Sequence, residues 1–308
     1  ICGSAYRRIR CRKFYLGQRN IPAEIGTMEN PPFRLHRLFP AIVLLCLTFP
    51  AAARPAQFES IDFDKTAEQY KRVEVRFQLK ETYSNPFDPE EIDIWGYFRG
   101  PYGNTEKRPA FWYQHYNSDG VPDMKPEWRI RFSPTEVGRY DFYIVAEDRR
   151  VGVTTRYPLG ETTLSFSASP SSSAGFVKKS AKNPRYFCFE NDATFWGVGA
   201  GPVLNRDVIR NHAKFKLNWI QTEFTPAFLI EDRTVGRYNL FRAFQGDELL
   251  QEAENHGVYF QIVFSHWSSW KADMHTLPEE LQQYERNLFP PWSENPYNLK
   301  NGGPLSHP

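Results

Sequence analysis

The 308-residue chain predicts a multidomain protein. Its expected parts are an immunoglobulin-like β-sandwich over 66–168, a linker over 169–175, and, over 176–308, the first part (about three βα units) of a (β/α)8 barrel. Three observations predict this order. Short aromatic or β-branched runs bounded by turn residues recur from 66 to 168 without a helical period, the pattern of a sandwich. Ser165 to Gly175 then carries six serines with Pro and Gly, as a flexible linker does. Beyond it, strand and helix patterns alternate, which points to a parallel sheet with helical crossovers.

The N-terminus comes first in order. Met28 is the first Met, Arg34 and Arg37 precede an apolar run from Leu38 to Phe49, and Ala51-Ala52-Ala53 follows. This is the pattern of a secretory signal peptide over 28–53, and residues 1–27 read as upstream translation. The apolar run is shorter than the roughly 20 residues a membrane span needs, and Pro40 and Pro50 interrupt it. The expectation is a secreted protein, periplasmic or extracellular, with no membrane attachment after cleavage. Of the four cysteines only Cys188 lies beyond this part, between Phe187 and Phe189, so it reads as a buried small apolar residue and no internal disulfide is expected. Eight of the 38 basic residues but two of the 36 acidic ones fall in 1–53, which leaves 30 against 34, or about −4. A nucleic-acid partner, which needs a positive surface, loses its support.

Within 66–168, Val73, Val75, Phe77 and Leu79 alternate with Glu74, Arg76, Gln78 and Lys80, a strand with one buried and one wet face. Asn85-Pro86-Phe87-Asp88-Pro89 is turn chemistry. Further strands are expected at 92–98, 110–116, 128–132, 140–146 and 162–168. Glu136-Val137-Gly138-Arg139-Tyr140 resembles a tyrosine corner, in which the Tyr hydroxyl bonds an upstream backbone group. Phe142 then stands where antibody domains place a cysteine. Trp128 faces it as a core residue or, alternatively, stands exposed as a sugar-stacking platform.

Past the linker the pattern predicts a strand at 193–199, a helix near 206–216, a strand at 218–224, a helix near 240–256 ending at Gly257, and a strand at 258–265. Gly197-Val198-Gly199-Ala200-Gly201-Pro202 resembles a dinucleotide-binding turn, but Pro202 stands where that turn needs a small residue with an N–H. The competing barrel reading puts the chemistry just past strand C-termini. Glu223 ends one strand there, and His266-Trp267 with Trp270 follow the next. Indole faces suit the C–H patches of sugar rings, and Trp292 fits the same role or plain packing. No His-Glu-x-x-His, Cys-x-x-Cys, Gly-Lys-Ser/Thr or Gly-x-Ser-x-Gly motif occurs, so no metal or cofactor is expected.

Tyr83-x-Asn85-Pro86-Phe87-Asp88, followed by Trp128-x-x-Arg131-Phe132-x-Pro134-x-x-x-Gly138-x-Tyr140, resembles the N-terminal immunoglobulin-like domain of the DUF5060 type found ahead of bacterial glycoside hydrolases. Phe176-Val177-x4-Lys182-Asn183-Pro184-Arg185-Tyr186-Phe187-x-Phe189 is similar to the segment that opens their barrel, and Trp292-x-x-Asn295-Pro296-Tyr297-Asn298-x-x-Asn301-Gly302-Gly303-Pro304 to a loop after its third strand. The resemblance implies a secreted glycoside hydrolase that cleaves polysaccharide with water and no cofactor, its substrate a poly- or oligosaccharide. Glu223, His266, Trp267, Trp270, Trp292, Tyr297 and Asn298 are the expected substrate contacts. The 133 residues from 176 onward are fewer than the roughly 250 of a barrel. The implied acid and partner carboxylates would therefore lie beyond Pro308, no residue of this chain is assigned as catalytic, and the fragment is expected to be inactive. The alternative is a non-catalytic carbohydrate-binding or cell-surface protein.

Overall fold

A computed structural model of the chain describes residues 54–201, 205–223, 234–263 and 292–307; the signal-peptide segment lies outside them. Nine strands come first: β1 (Phe58–Phe63), β2 (Thr66–Glu68), β3 (Val73–Leu79), β4 (Ile92–Arg99), β5 (Thr105–Tyr113), β6 (Glu127–Phe132), β7 (Gly138–Asp148), β8 (Val153–Tyr157) and β9 (Leu164–Ser169). They form one sheet in the order β1-β3-β6-β5-β4-β7-β9-β2, with β8 beside β7.

That sheet corrects the expected sandwich of two separate sheets. β5 belongs to both layers, since Thr105–Pro109 pair with β4 and Ala110–Tyr113 pair with β6. Pro109, which has no N–H to offer a ladder, sits where the strand changes partners. The sheet curls so that the β1-β3-β6 side packs on the β4-β7-β9 side. Phe98 stacks on Phe132 with ring centroids 4.4 Å apart, and Phe63 meets the edge of Phe142 at 5.0 Å. Val73, Val75, Phe77 and Leu79 point into this core as their alternation requires, and Ile92, Ile94 and Phe98 do the same from β4. Trp128 is buried against Trp112 and Tyr83, a core residue and not a platform. The tyrosine corner is present: the Glu136 N–H donates to the Tyr140 hydroxyl at 2.9 Å. Strands β1, β2 and β8, unpredicted, complete the edges.

The expected start of a (β/α)8 barrel is also corrected. The region meant to open it folds instead as an antiparallel meander of β10 (Val177–Lys179), β11 (Phe187–Phe189) and β12 (Thr194–Phe195). The physical reason is loop length. Phe189 and Ala193 close a tight turn through Asp192, which adopts a positive φ of 64°, whereas a parallel crossover needs a dozen residues or more. Cys188 is buried in this meander with a free thiol. Ser171 and Ser173 of the serine run are held in place, their hydroxyls accepting from the Ser173 and Gly175 backbone N–H groups.

One βαβ unit does form. α1 (Arg206–Lys214) leads to β13 (Trp219–Glu223), and α2 (Leu240–Asn255) crosses to β14 (Tyr259–Val263), which pairs parallel with β13. Asn205 and Asn239 cap the helices by accepting from the Val208 and Arg242 N–H groups. These are the two α-helices among the described residues, and the parallel sheet has two strands. Two short 3-10 turns, Trp292–Glu294 and Leu299–Asn301, follow.

Candidate functional site

The carboxyl ends of β13 and β14 are where an α/β unit presents chemistry. Ile220, fully buried, packs with Ile209 of α1, Ala253 of α2 and Val258, so the strand pair is anchored from beneath. That anchoring sets the register, with Trp219 opposite Tyr259 and Glu223 opposite Val263. Glu223 is thus the last residue of its strand. His266, Trp267 and Trp270, which follow β14 in the sequence, lie outside the described residues.

Trp292, Tyr297 and Asn298 fall in a loop that holds itself together with asparagines. The buried Asn298 donates from Nδ2 to the Trp292 carbonyl at 2.9 Å and accepts the Lys300 N–H on Oδ1 at 3.0 Å. Asn295 accepts the Tyr297 N–H at 2.9 Å, and Asn301 donates to the carbonyls of Ser293 and Asn295. These side chains satisfy backbone groups that a turn leaves unpaired. Gly303 lies so close to the loop that a Cβ would stand 2.2 Å from the Tyr297 carbonyl carbon. Trp292 is buried, so its indole packs, while Tyr297 remains half-buried.

The glycine cluster has a steric explanation. Asn218 and Val198 exchange hydrogen bonds, and the chain runs so close along β13 that a Cβ on Gly199 would stand 1.6 Å from the Trp219 carbonyl oxygen. Close backbone approach is reason enough for glycine there.

The contact that positions this unit was not foreseen. One face of α2 places Phe241, Phe244, Asp247, Gln251 and Glu254 at helical spacing against the curled sheet and its loops. Phe241 meets Tyr116, Phe244 meets His115, Gln251 accepts from Arg72, and Glu254 pairs with Lys71 at 2.8 Å. Arg131 grips Asp247 through both terminal nitrogens at 2.8 and 2.7 Å, and its Nε donates to Glu74 at 2.8 Å. Burial opposes charge on the Arg131 guanidinium, but hydrogen bonds and charge from Asp247 and Glu74 outweigh it and raise its pKa. Beside that stripe, on the flank next to Phe241, Glu248 and Glu252 of α2 pair with Arg206 and Arg210 of α1. Asn85 and Phe87, read as turn residues, also join in: Asn85 donates to the Gly236 carbonyl at 3.0 Å and Phe87 packs on Tyr238. The spacing of Phe241, Phe244 and Asp247, one helical turn after another, was the legible signal.

A second set of residues lies on the outer face of β4, β5, β7 and β8. Trp95 and Tyr97 there alternate with the core series Ile94, Gly96 and Phe98, so β4 carries large side chains on both faces. Aromatics in the wet register of a strand were the available signal.

Comparison with known proteins agrees with part of this description. Residues 66–147 match the family model of DUF5060, a domain of unknown function, which bears out the resemblance carried by the Tyr83 to Tyr140 motifs. No curated protein matches the chain. Among solved structures, a "putative glycoside hydrolase" from Bacteroides vulgatus is similar over 65% of this chain and 41% of its own, at 14% identity and a TM-score of 0.47. The CARDB domain of a Pyrococcus furiosus protein in complex with di-metal ions matches over 38% of this chain and 96% of its own, at 13% identity and a TM-score of 0.21. Purple acid phosphatase PPD1 from yellow lupin (Lupinus luteus) seeds matches over 68% and 35%, at 12% identity and a TM-score of 0.24. The chain thus spans about two-fifths of the length of the Bacteroides protein.

Proposed function

We propose that the protein is a secreted, polysaccharide-directed protein of the glycoside hydrolase kind, in which the curled sheet presents substrate and the β13–β14 ends carry the reacting region. The observation that carries this reading is the match of residues 66–147 to the domain type whose resemblance places it ahead of glycoside hydrolases. The α2 contacts support a fixed accessory role for that domain. A module gripped by Arg131–Asp247 and by Phe241 and Phe244 holds a bound glycan at a constant distance from the strand ends. Glu223 is the residue to test, because glycosidic cleavage by proton transfer requires a carboxyl group beside the scissile bond.

The test incubates the chain with a panel of plant and algal polysaccharides and measures both retention on the polymer and release of reducing ends. Retention without release places the chain in substrate binding. Release abolished by Glu223→Gln gives Glu223 a catalytic role. Neither retention nor release across the panel would refute the proposal. The alternative, a carbohydrate-binding protein without catalysis, is favoured by the aromatic outer face of the sheet and predicts retention that Glu223→Gln leaves unchanged.

A further inference from the structure

The outer face of β5, β4, β7 and β8 carries a row of rings closed at each end by a cation. Cross-strand register puts Tyr97 opposite both Lys107 and Tyr143, Trp95 opposite Val145, and Val145 opposite Arg156, all on the side away from the core. Tyr97 and Tyr143 stack with centroids 4.9 Å apart and planes 7° from parallel. Lys107 Nζ sits 3.8 Å from the Trp95 ring centroid, and the Arg156 guanidinium sits 4.2 Å from that of Tyr143. The row crosses three strand spacings, about 14 Å.

Charge on this face is unbalanced in a specific way. The carboxylates gather at the start of β4, where Arg149 is shared by Glu90 at 2.8 Å, Asp93 at 3.5 Å and Glu147 at 3.7 Å, while Asp141 pairs with Arg139 at 3.0 Å. Lys107 and Arg99 have no acidic partner among the described residues, and Arg156 is held by the carbonyls of Pro158 and Gly160 and by the Tyr143 ring, with no carboxylate partner among those residues. Its Nε and Nη2 groups have no hydrogen bond among the described residues. The Trp95 indole nitrogen is buried on the ring that Lys107 covers and has no hydrogen-bond partner among the described residues, a costly state for a donor. A row of rings with a cation at each end that has no carboxylate partner among the described residues fits a flat, hydroxylated, negatively charged chain.

We propose that this face binds an anionic polysaccharide, one bearing carboxylate or sulfate groups. Lys107 and Arg156 hold the charges, Arg99 adds to the positive edge, and Tyr97, Tyr143 and Trp95 contact the sugar rings. The inference rests on the polysaccharide reading above and specifies its substrate class.

The experiment titrates the full chain with polygalacturonate, chondroitin sulfate, neutral dextran and inorganic polyphosphate. Lys107→Glu and Arg156→Gln are run alongside; both positions lie on the surface of the sheet and carry no core packing. The expected result is binding of polygalacturonate, chondroitin sulfate or both, weakened by added salt and by about tenfold or more in each variant, with dextran bound far less. Binding of polygalacturonate shows that carboxylate suffices, whereas chondroitin sulfate, which carries both groups, bound without polygalacturonate shows that sulfate is needed. Unchanged affinity in both variants, or polyphosphate bound as tightly as the glycans, overturns the site. Dextran preferred over both charged polymers overturns the anionic specificity and leaves the polysaccharide reading standing. Failure to bind any polysaccharide overturns both.

Discussion

The grip of Arg131 on Asp247 offers a quantitative test of how α2 is held against the curled sheet. Both side chains are about one-quarter exposed (26% and 24%), and Arg131 bridges Asp247 on the helix to Glu74 on β3. The bridging makes the two halves unequal. Asp247→Ala removes two charge-assisted hydrogen bonds but leaves Arg131 paired with Glu74, so the loss should be about 1.5–3 kcal/mol. Arg131→Leu removes three such bonds and strips Asp247 of the partner described for it, which raises the loss toward about 3–5 kcal/mol. Once Arg131 is gone, Asp247→Ala should add little, so the double variant falls short of the sum by more than about 0.5 kcal/mol. Urea unfolding followed by tryptophan fluorescence supplies the cycle, and limited proteolysis locates the effect. In the variants α2 should be cut sooner while β3, β6 and β7 stay protected. Strict additivity, or losses below about 0.5 kcal/mol in both single variants, would refute the bridging role of Arg131 and leave α2 to its other contacts.

Two further outcomes are expected. Asp148, buried, accepts from Arg150 at 3.0 and 2.9 Å and from the Tyr83 hydroxyl at 3.1 Å; burial works against its charge, but these bonds outweigh it and hold its pKa below the usual carboxylate value. A depressed folded pKa means that the stability it contributes is complete above about pH 4 and is lost as pH falls through the folded value, so Asp148→Asn should lower the urea midpoint at neutral pH and flatten the acid limb. An acid limb as steep in the variant as in the parent would exclude Asp148 as its source. Gly199→Ala, with a Cβ that would lie 1.6 Å from the Trp219 carbonyl, should force β13 aside and lower stability by about 1–3 kcal/mol, seen as an earlier thermal transition; an unmoved transition would show that β13 and the glycine segment are not in close contact.

What the sequence by itself determined follows from short-range rules. Alternation at Val73–Leu79 assigned inward and outward faces because a strand repeats every two residues. The Glu136–Tyr140 corner and the Gly257 end of α2 were readable because each is a local backbone geometry with a residue preference. The site was legible only as far as Glu223, a strand end. Tertiary structure decided the rest, since no local pattern encodes who pairs with whom. β5 looks like any strand in sequence, yet its change of partner at Pro109 joins two expected sheets into one. The aromatic run at 187–195 suits a parallel or an antiparallel strand equally, and the length of its turns, set against the crossover a parallel pair needs, made it antiparallel. The resemblance makes Asn298 an expected substrate contact, and only the fold shows that its amide also bonds the backbone of its own loop. Lys107 and Arg156, 49 residues apart, become the two ends of one surface only when β4 and β7 are laid between them, because charge and ring contacts depend on spatial distance and the chain brings those strands together through register.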